Sequence, residues 1–178
     1  AVASVLSGAF LTKVNLLNIM TQSSIIAIIG VGMTFVIVTG GIDLSVGSMV
    51  ALASVLMALA LGKGAGLAAS VSLGMAVGML GGVIQGAGIA VFRIPPFIMT
   101  LAGMTVFRGI ARIVSECRPI SLPYEMEDPV ARIAEAKVFG EIPLPILYMF
   151  AVYFAGYILL RHTHWGAYTL AVGGNEEA

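Results

Sequence analysis

The stretch Gly40-Gly41-Ile42-Asp43-Leu44-Ser45-Val46-Gly47-Ser48 puts one carboxylate and two hydroxyls between two long apolar runs. That limits what the chain can become. An ionisable residue at membrane depth is disfavoured by roughly 2.5–3.5 kcal/mol on insertion scales, so it implies a function or a special backbone. Gly40 and Gly41 suit the left-handed geometry that ends a helix, and Asp43 or Ser45 can cap the next one. The stretch reads as helix, break, helix.

The apolar runs are those of an integral membrane protein. The chain is 59% hydrophobic and 10% charged with a mean hydropathy of +1.03, whereas soluble domains carry about a quarter charged residues. Net charge is zero and no basic run occurs, so the partner implied is the lipid bilayer and not nucleic acid. A single cysteine, Cys117, excludes an intrachain disulfide and a cysteine metal cluster. His162 and His164 have no third ligand at matching spacing, so no metal or other cofactor is expected.

Five segments are long enough to cross: Asn15 to Thr39, Leu44 to Leu61, Leu67 to Phe92, Phe97 to Val114 and Pro143 to Leu160. The expected fold is an all-α polytopic transmembrane bundle. Ala1 to Leu11 is too short to span and reads as the stump of a first helix, and the other end stops within a motif, so a domain cut at both ends is expected. In the first span Asn15, Asn18 and Gln22 share a helix face, suiting either interhelical hydrogen bonds or a polar pathway. In the third, Ser70, Gly74, Gly78, Gly82, Gly86 and Ala90 recur every four residues and predict a smooth packing ridge, with Gln85 beside it as a pathway candidate. Arg108 and Arg112 share a face of the fourth, where they can snorkel, pair with acids or line a pathway. Residues 115–142 hold six of the nine acids and read as an aqueous loop with a short helix over Ala131 to Lys137. The turn Gly62-Lys63-Gly64-Ala65-Gly66 lacks the spacing of a phosphate-binding loop, so nothing here holds ATP by motif.

The words Gly-Ile-Asp-Leu-Ser-Val-Gly, with Asn15-Leu16-Leu17-Asn18-Ile19, Val31-Gly32-Met33-Thr34-Phe35-Val36, Ile94-Pro95-Pro96-Phe97-Ile98, Arg118-Pro119-Ile120 and Gly173-Gly174-Asn175-Glu176-Glu177-Ala178, occur in register along nearly the whole chain. In these it resembles the permease subunits of bacterial ABC importers of the ribose type, over roughly the first half of such a permease. The resemblance implies one transmembrane permease domain in the bacterial inner membrane that moves a sugar or similar small polar solute by alternating access. It also implies a second permease copy, an ATP-binding cassette ATPase subunit and a periplasmic solute-binding protein as partners. Candidate pathway residues are then Asn18, Gln22, Asp43, Ser45, Gln85 and Arg108, and 166–178 begins the coupling segment, with Gly173, Gly174, Asn175, Glu176, Glu177 and Ala178 meeting the ATPase. Two departures stand out: Glu116-Cys117 replaces a pair of glycines, and Ala167 stands where an arginine often follows the glycine. Several family members also carry asparagine where this chain has Gln85.

Two other classes fit parts of the chain. A membrane-embedded enzyme would have only Asp43, Ser45 and the histidines as reactive groups, with no nucleophile–base pairing in the spacing. A structural membrane subunit without a pathway would keep the same spans. Orientation divides two arguments. The resemblance puts Gly173 to Ala178 in the cytoplasm and, by parity, Lys13, Lys63, Arg118, Arg132 and Lys137 outside, against Arg93 and Arg161 inside, whereas the positive-inside rule prefers the reverse. The need to reach an ATPase favours the former. An impermeant thiol reagent is then expected to label Cys117 in cells stripped of their outer membrane; labelling only after lysis would invert the orientation.

Overall fold

The computed structural model describes Gly8 and residues 10–134, 136–138 and 140–174. The elements are α1 (Lys13–Val38), α2 (Val46–Gly62), α3 (Leu67–Ala90), α4 (Pro96–Val114), α5 (Tyr124–Ala134), β1 (Lys137–Val138), β2 (Ile142–Pro143), α6 (Leu144–His162) and α7 (His164–Gly174). By length and composition α1, α3, α4 and α6 can cross a membrane, and α2 is a shorter apolar helix of 17 residues. The chain is thus the expected polytopic helical protein. The expected stump, Ala1 to Leu11, lies largely outside the described residues. α1 starts where Thr12 turns the chain in and its hydroxyl accepts from the Asn15 amide at 3.4 Å.

The helices fall into two compact units, one of α1, α6, α7 and the hairpin, the other Gly41–Val130 with α2, α3 and α4. In the second unit α2 packs along both α3 and α4, around Leu52, Phe107 and Ala111 with Met49, Val55, Leu56 and Val77 against them. The small-residue ridge is turned from its expected position. The buried residues of α3 are Ser70, Gly74, Gly81, Gln85 and Gly88, while a Cβ at Gly78, Gly82 or Gly86 would meet nothing within 4 Å. Helix geometry explains the difference. At 3.6 residues per turn a spacing of four gains about 40° each step, so a stripe from residue 70 to 90 winds about 200° round, whereas the buried set stays within about 60°. Gly74, Gly81 and Gly88 form sockets: a Cβ would fall on Met57 at Gly74, on Met49 at Gly81, and 2.7 Å from the Met99 sulfur at Gly88.

Two helix ends of this unit use the same device with different residues. After α2, the Ala65 amide donates to the Ala60 carbonyl at 2.9 Å and Gly64 to Leu61 at 3.0 Å, with Gly64 at φ 84°. After α4, Cys117 donates to Arg112 at 2.8 Å and Glu116 to Ile113 at 3.1 Å, with Glu116 and Cys117 at φ 52° and 57°. Both are Schellman ends, and the second holds two non-glycine residues left-handed at about 1–2 kcal/mol each. The turn therefore survives the replacement of the two glycines. In the loop beyond, the helix covers Tyr124–Ala134 and not Ala131 to Lys137. Glu125 and Glu127 favour its first turn, and Lys137 is taken by a hairpin pairing Lys137 with Pro143 and Val138 with Ile142, with Gly140 at φ 74°.

In the first unit α1 packs on α6, and α7 folds back on both. Ser24, wholly buried in α1, donates to the Thr21 carbonyl at 2.7 Å, and Lys13 pairs with Glu141 on the surface. Thr163 starts α7 by accepting from the Gly166 amide at 3.3 Å. Close backbone approach fixes the rest: a Cβ on Gly166 would strike the Leu159 and Leu160 carbonyls, and one on Gly173 the Val38 carbonyl. Carbonyls in a helix cannot rotate away. Gly166→Ala is expected to lose about 1–3 kcal/mol by overpacking, while Gly78→Ala, facing open space, stays within about 0.5 kcal/mol. Thermal unfolding in detergent checks the pair; equal effects would refute the close-approach account.

A candidate functional site at the helix break

Non-helical backbone at membrane depth must find partners inside the protein, because lipid offers none. α1 ends with Gly40 at φ 75°, its amide donating to the Ile37 carbonyl at 2.9 Å. Asp43 then makes the turn into α2: its Oδ1 accepts from the Ser45 amide and from the Ser45 hydroxyl, each at 2.7 Å. Contrary to expectation, neither candidate's side chain accepts from an amide within α2. Ser45 already has helical dihedrals and its side chain caps no amide, so it is Asp43, two residues earlier, that satisfies a backbone donor.

Two neighbouring helices complete the arrangement. From α3, Gln85 Nε2 donates to Ser45 Oγ at 2.9 Å. From the first turn of α4, Thr100 Oγ1 donates to the Ile42 carbonyl at 3.0 Å while also lying 2.9 Å from the Pro96 carbonyl. Ser45, Gln85 and Thr100 are buried, at 1%, 6% and 3% exposed, and Asp43 is partly exposed. No cation pairs with Asp43 among the described residues. Its two hydrogen bonds come from neutral donors at the amino end of α2.

One polar atom of the network is left over. Gln85 Oε1 has no hydrogen-bond partner, and a Cβ at Gly103 would stand 2.7 Å from it. The oxygen therefore lies over the glycine's Cα–H, a weak acceptor contact common where helices pack closely. Glycine at 103 makes room for the amide; a larger residue would displace it.

The structure brings together three of the six candidate pathway residues: Asp43, Ser45 and Gln85. Arg108 is on α4, exposed and outside the network, and so is Arg112. Asn18 and Gln22 are exposed on α1 in the first unit, where Asn15, on the same face, donates instead to the Phe10 carbonyl at 2.8 Å. Of the coupling candidates Gly173 and Gly174 end α7, and Asn175, Glu176, Glu177 and Ala178 lie outside the described residues. Sequence reading missed Thr100 and Gly103, since nothing in the sequence signals a bond between Ile42 and Thr100, 58 positions apart. Among the described residues no group of His, Cys, Asp and Glu could hold a metal ion.

The geometry separates two substitutions at residue 43. Asp43→Asn keeps an acceptor for Ser45 and gives up only the charge–dipole part, about 0.3–1 kcal/mol. Asp43→Leu also loses the turn bonds, a further 0.5–2 kcal/mol or so. Melting temperatures in detergent should therefore fall in the order wild type, Asn, Leu; an asparagine variant as unstable as leucine would show that the charge itself holds the break.

Ribose import permease protein RbsC of Escherichia coli (strain K12) is 37% identical over 179 residues, covering 100% of this chain and 56% of that protein. The protein of the same name in Bacillus subtilis (strain 168) is 38% identical over 99% of this chain and 54% of its own length. Fructose import permease protein FrcC of Rhizobium meliloti is 32% identical over 98% and 50%. The chain spans about half the length of the curated relatives it matches. No solved structure is significantly similar to it. The family described as branched-chain amino acid transport system, permease component, matches residues 15–178, and with apolar helices throughout that range the chain belongs to this family of membrane permeases.

Proposed function

We propose that the protein is a permease subunit of a bacterial ABC importer, seated in the inner membrane, and that it supplies part of the path for a sugar or similar small polar solute. The observation that carries the reading is the family match over residues 15–178, joined to relatives named as importers of ribose, D-allose and fructose. Asp43, Ser45 and Gln85 are joined by hydrogen bonds, and this supports a role in holding the break. Asn18, Gln22 and Arg108, exposed within their own units, keep free polar groups for a pathway. Nothing covalent is required of any of them.

The energy would come from a separate ATPase. Gly173, which rests on the Val38 carbonyl, then gives a force applied at the end of α7 a direct route to the last turn of α1 and the residues before Gly40. A second permease copy and a periplasmic solute-binding protein complete the proposed importer, with 1–178 forming part of one permease domain.

Reconstitution tests this. In vesicles with an ATPase subunit and a sugar-binding protein, labelled ribose, allose or fructose should enter, and the sugar that enters should stimulate ATP hydrolysis. The isolated polypeptide should bind no nucleotide. Nucleotide binding by this chain alone would overturn the reading, and ATPase stimulation without solute entry would favour a structural subunit.

A further inference from the structure

The turn from α6 into α7 gathers side-chain donors that the rest of the described residues leave unused. Arg161 and His162 stand in the last turn of α6, and His164 and Trp165 open α7. All four are exposed, Trp165 at 75%. Gly166 lies against the Leu159 and Leu160 carbonyls, so α7 begins tight on the end of α6 and keeps the four together. A guanidinium carries five N–H donors, an imidazole at least one and an indole one. Among the described residues none of these side chains makes a hydrogen bond or an ion pair. The helices around them offer no acid. Leu144 to Gly174 contains no Asp or Glu, nor does α1, and Glu141, ahead of the opposite end of α6, is paired with Lys13.

Position decides what these donors meet. α6 carries no charge from Leu144 to Leu160 and is long enough to cross, so Arg161 to Trp165 lie where a span leaves the hydrocarbon, at the depth of the headgroups. Aromatic rings adjoin them, as they do at such interfaces. Tyr157, one turn before Arg161, meets the His162 ring edge-on with 5.6 Å between centroids, and Tyr168, one turn beyond His164 and Trp165, is exposed as well. We infer that the turn Arg161–Trp165 is a headgroup site selective for anionic phospholipid. Arg161 takes the phosphodiester through paired N–H groups, His162 and His164 add a donor each, and Trp165 rests beside them. In a zwitterionic lipid the choline cation competes for the same phosphate, whereas in phosphatidylglycerol its charge is unopposed. The site depends on the span and the turn alone, so it stands or falls apart from the solute carried.

Trp165 is the only tryptophan in the chain, so its fluorescence reads the site without a label. The full chain is reconstituted in phosphatidylcholine vesicles with rising fractions of phosphatidylglycerol, the bromine quencher being carried on the acyl chains of one lipid and then of the other. Brominated phosphatidylglycerol should quench Trp165 as though enriched about fivefold over its share of the bilayer, the effect of one cation at a charged headgroup. Arg161→Gln should abolish most of that enrichment, and His162→Gln with His164→Gln should lower it in part. Lys63→Gln, a cation at the end of α2, should leave it unchanged. No enrichment in the parent, or full enrichment kept in Arg161→Gln, would overturn the proposal. A last arm adds soluble glycerol phosphate: enrichment lost there, but kept in chloride at the same ionic strength, would assign the turn to a free anion and overturn the lipid site.

Discussion

A break in a membrane helix is only as stable as the partners found for its freed backbone. Here that duty falls on Asp43, which accepts two hydrogen bonds from Ser45, and on Thr100, which donates to the Ile42 carbonyl. With those groups satisfied, the chain can leave α1 at Val38, run five residues beyond Gly40 without helix and re-enter at Val46. α2 is short at 17 residues, about 26 Å, because part of the length between the apolar runs is spent on the break. The side chain follows from the backbone problem: lipid offers no partner for a freed amide, and Asp43 supplies one.

Packing in lipid lacks the drive that water gives a soluble core, so close approach and van der Waals contact must replace it. The second unit does this by seating methionines on the glycines of α3, and the first by laying α7 so near α6 and α1 that Gly166 and Gly173 have no room for a side chain. The two solutions differ mechanically. A thioether on a glycine yields, whereas Gly166 against the Leu159 and Leu160 carbonyls does not.

The polar residues divide in the same way. Those with partners are structural: Ser24 closes on its own helix, and Asp43, Ser45 and Gln85 close on each other. Asn18, Gln22 and Arg108 keep exposed side chains.

Much of this was legible in the residues. The long apolar runs fixed a helical membrane protein because lipid admits no other open backbone, and Gly40-Gly41 before Asp43 located the break because glycine tolerates positive φ and aspartate satisfies a freed amide. What the residues left open was decided by contact. The packing face of α3 followed the true helical repeat and not the spacing of four. The left-handed turn at Glu116 and Cys117 persisted because two Schellman bonds outweigh the strain on non-glycine residues. The loop helix formed at Tyr124–Ala134 because Lys137 was claimed by the hairpin. Gln85 and Thr100 joined the break from 40 and 58 residues away. Sequence periodicity reports which face of a segment is apolar, but a hydrogen bond between distant segments depends on where three helices meet, and only the tertiary structure decides that.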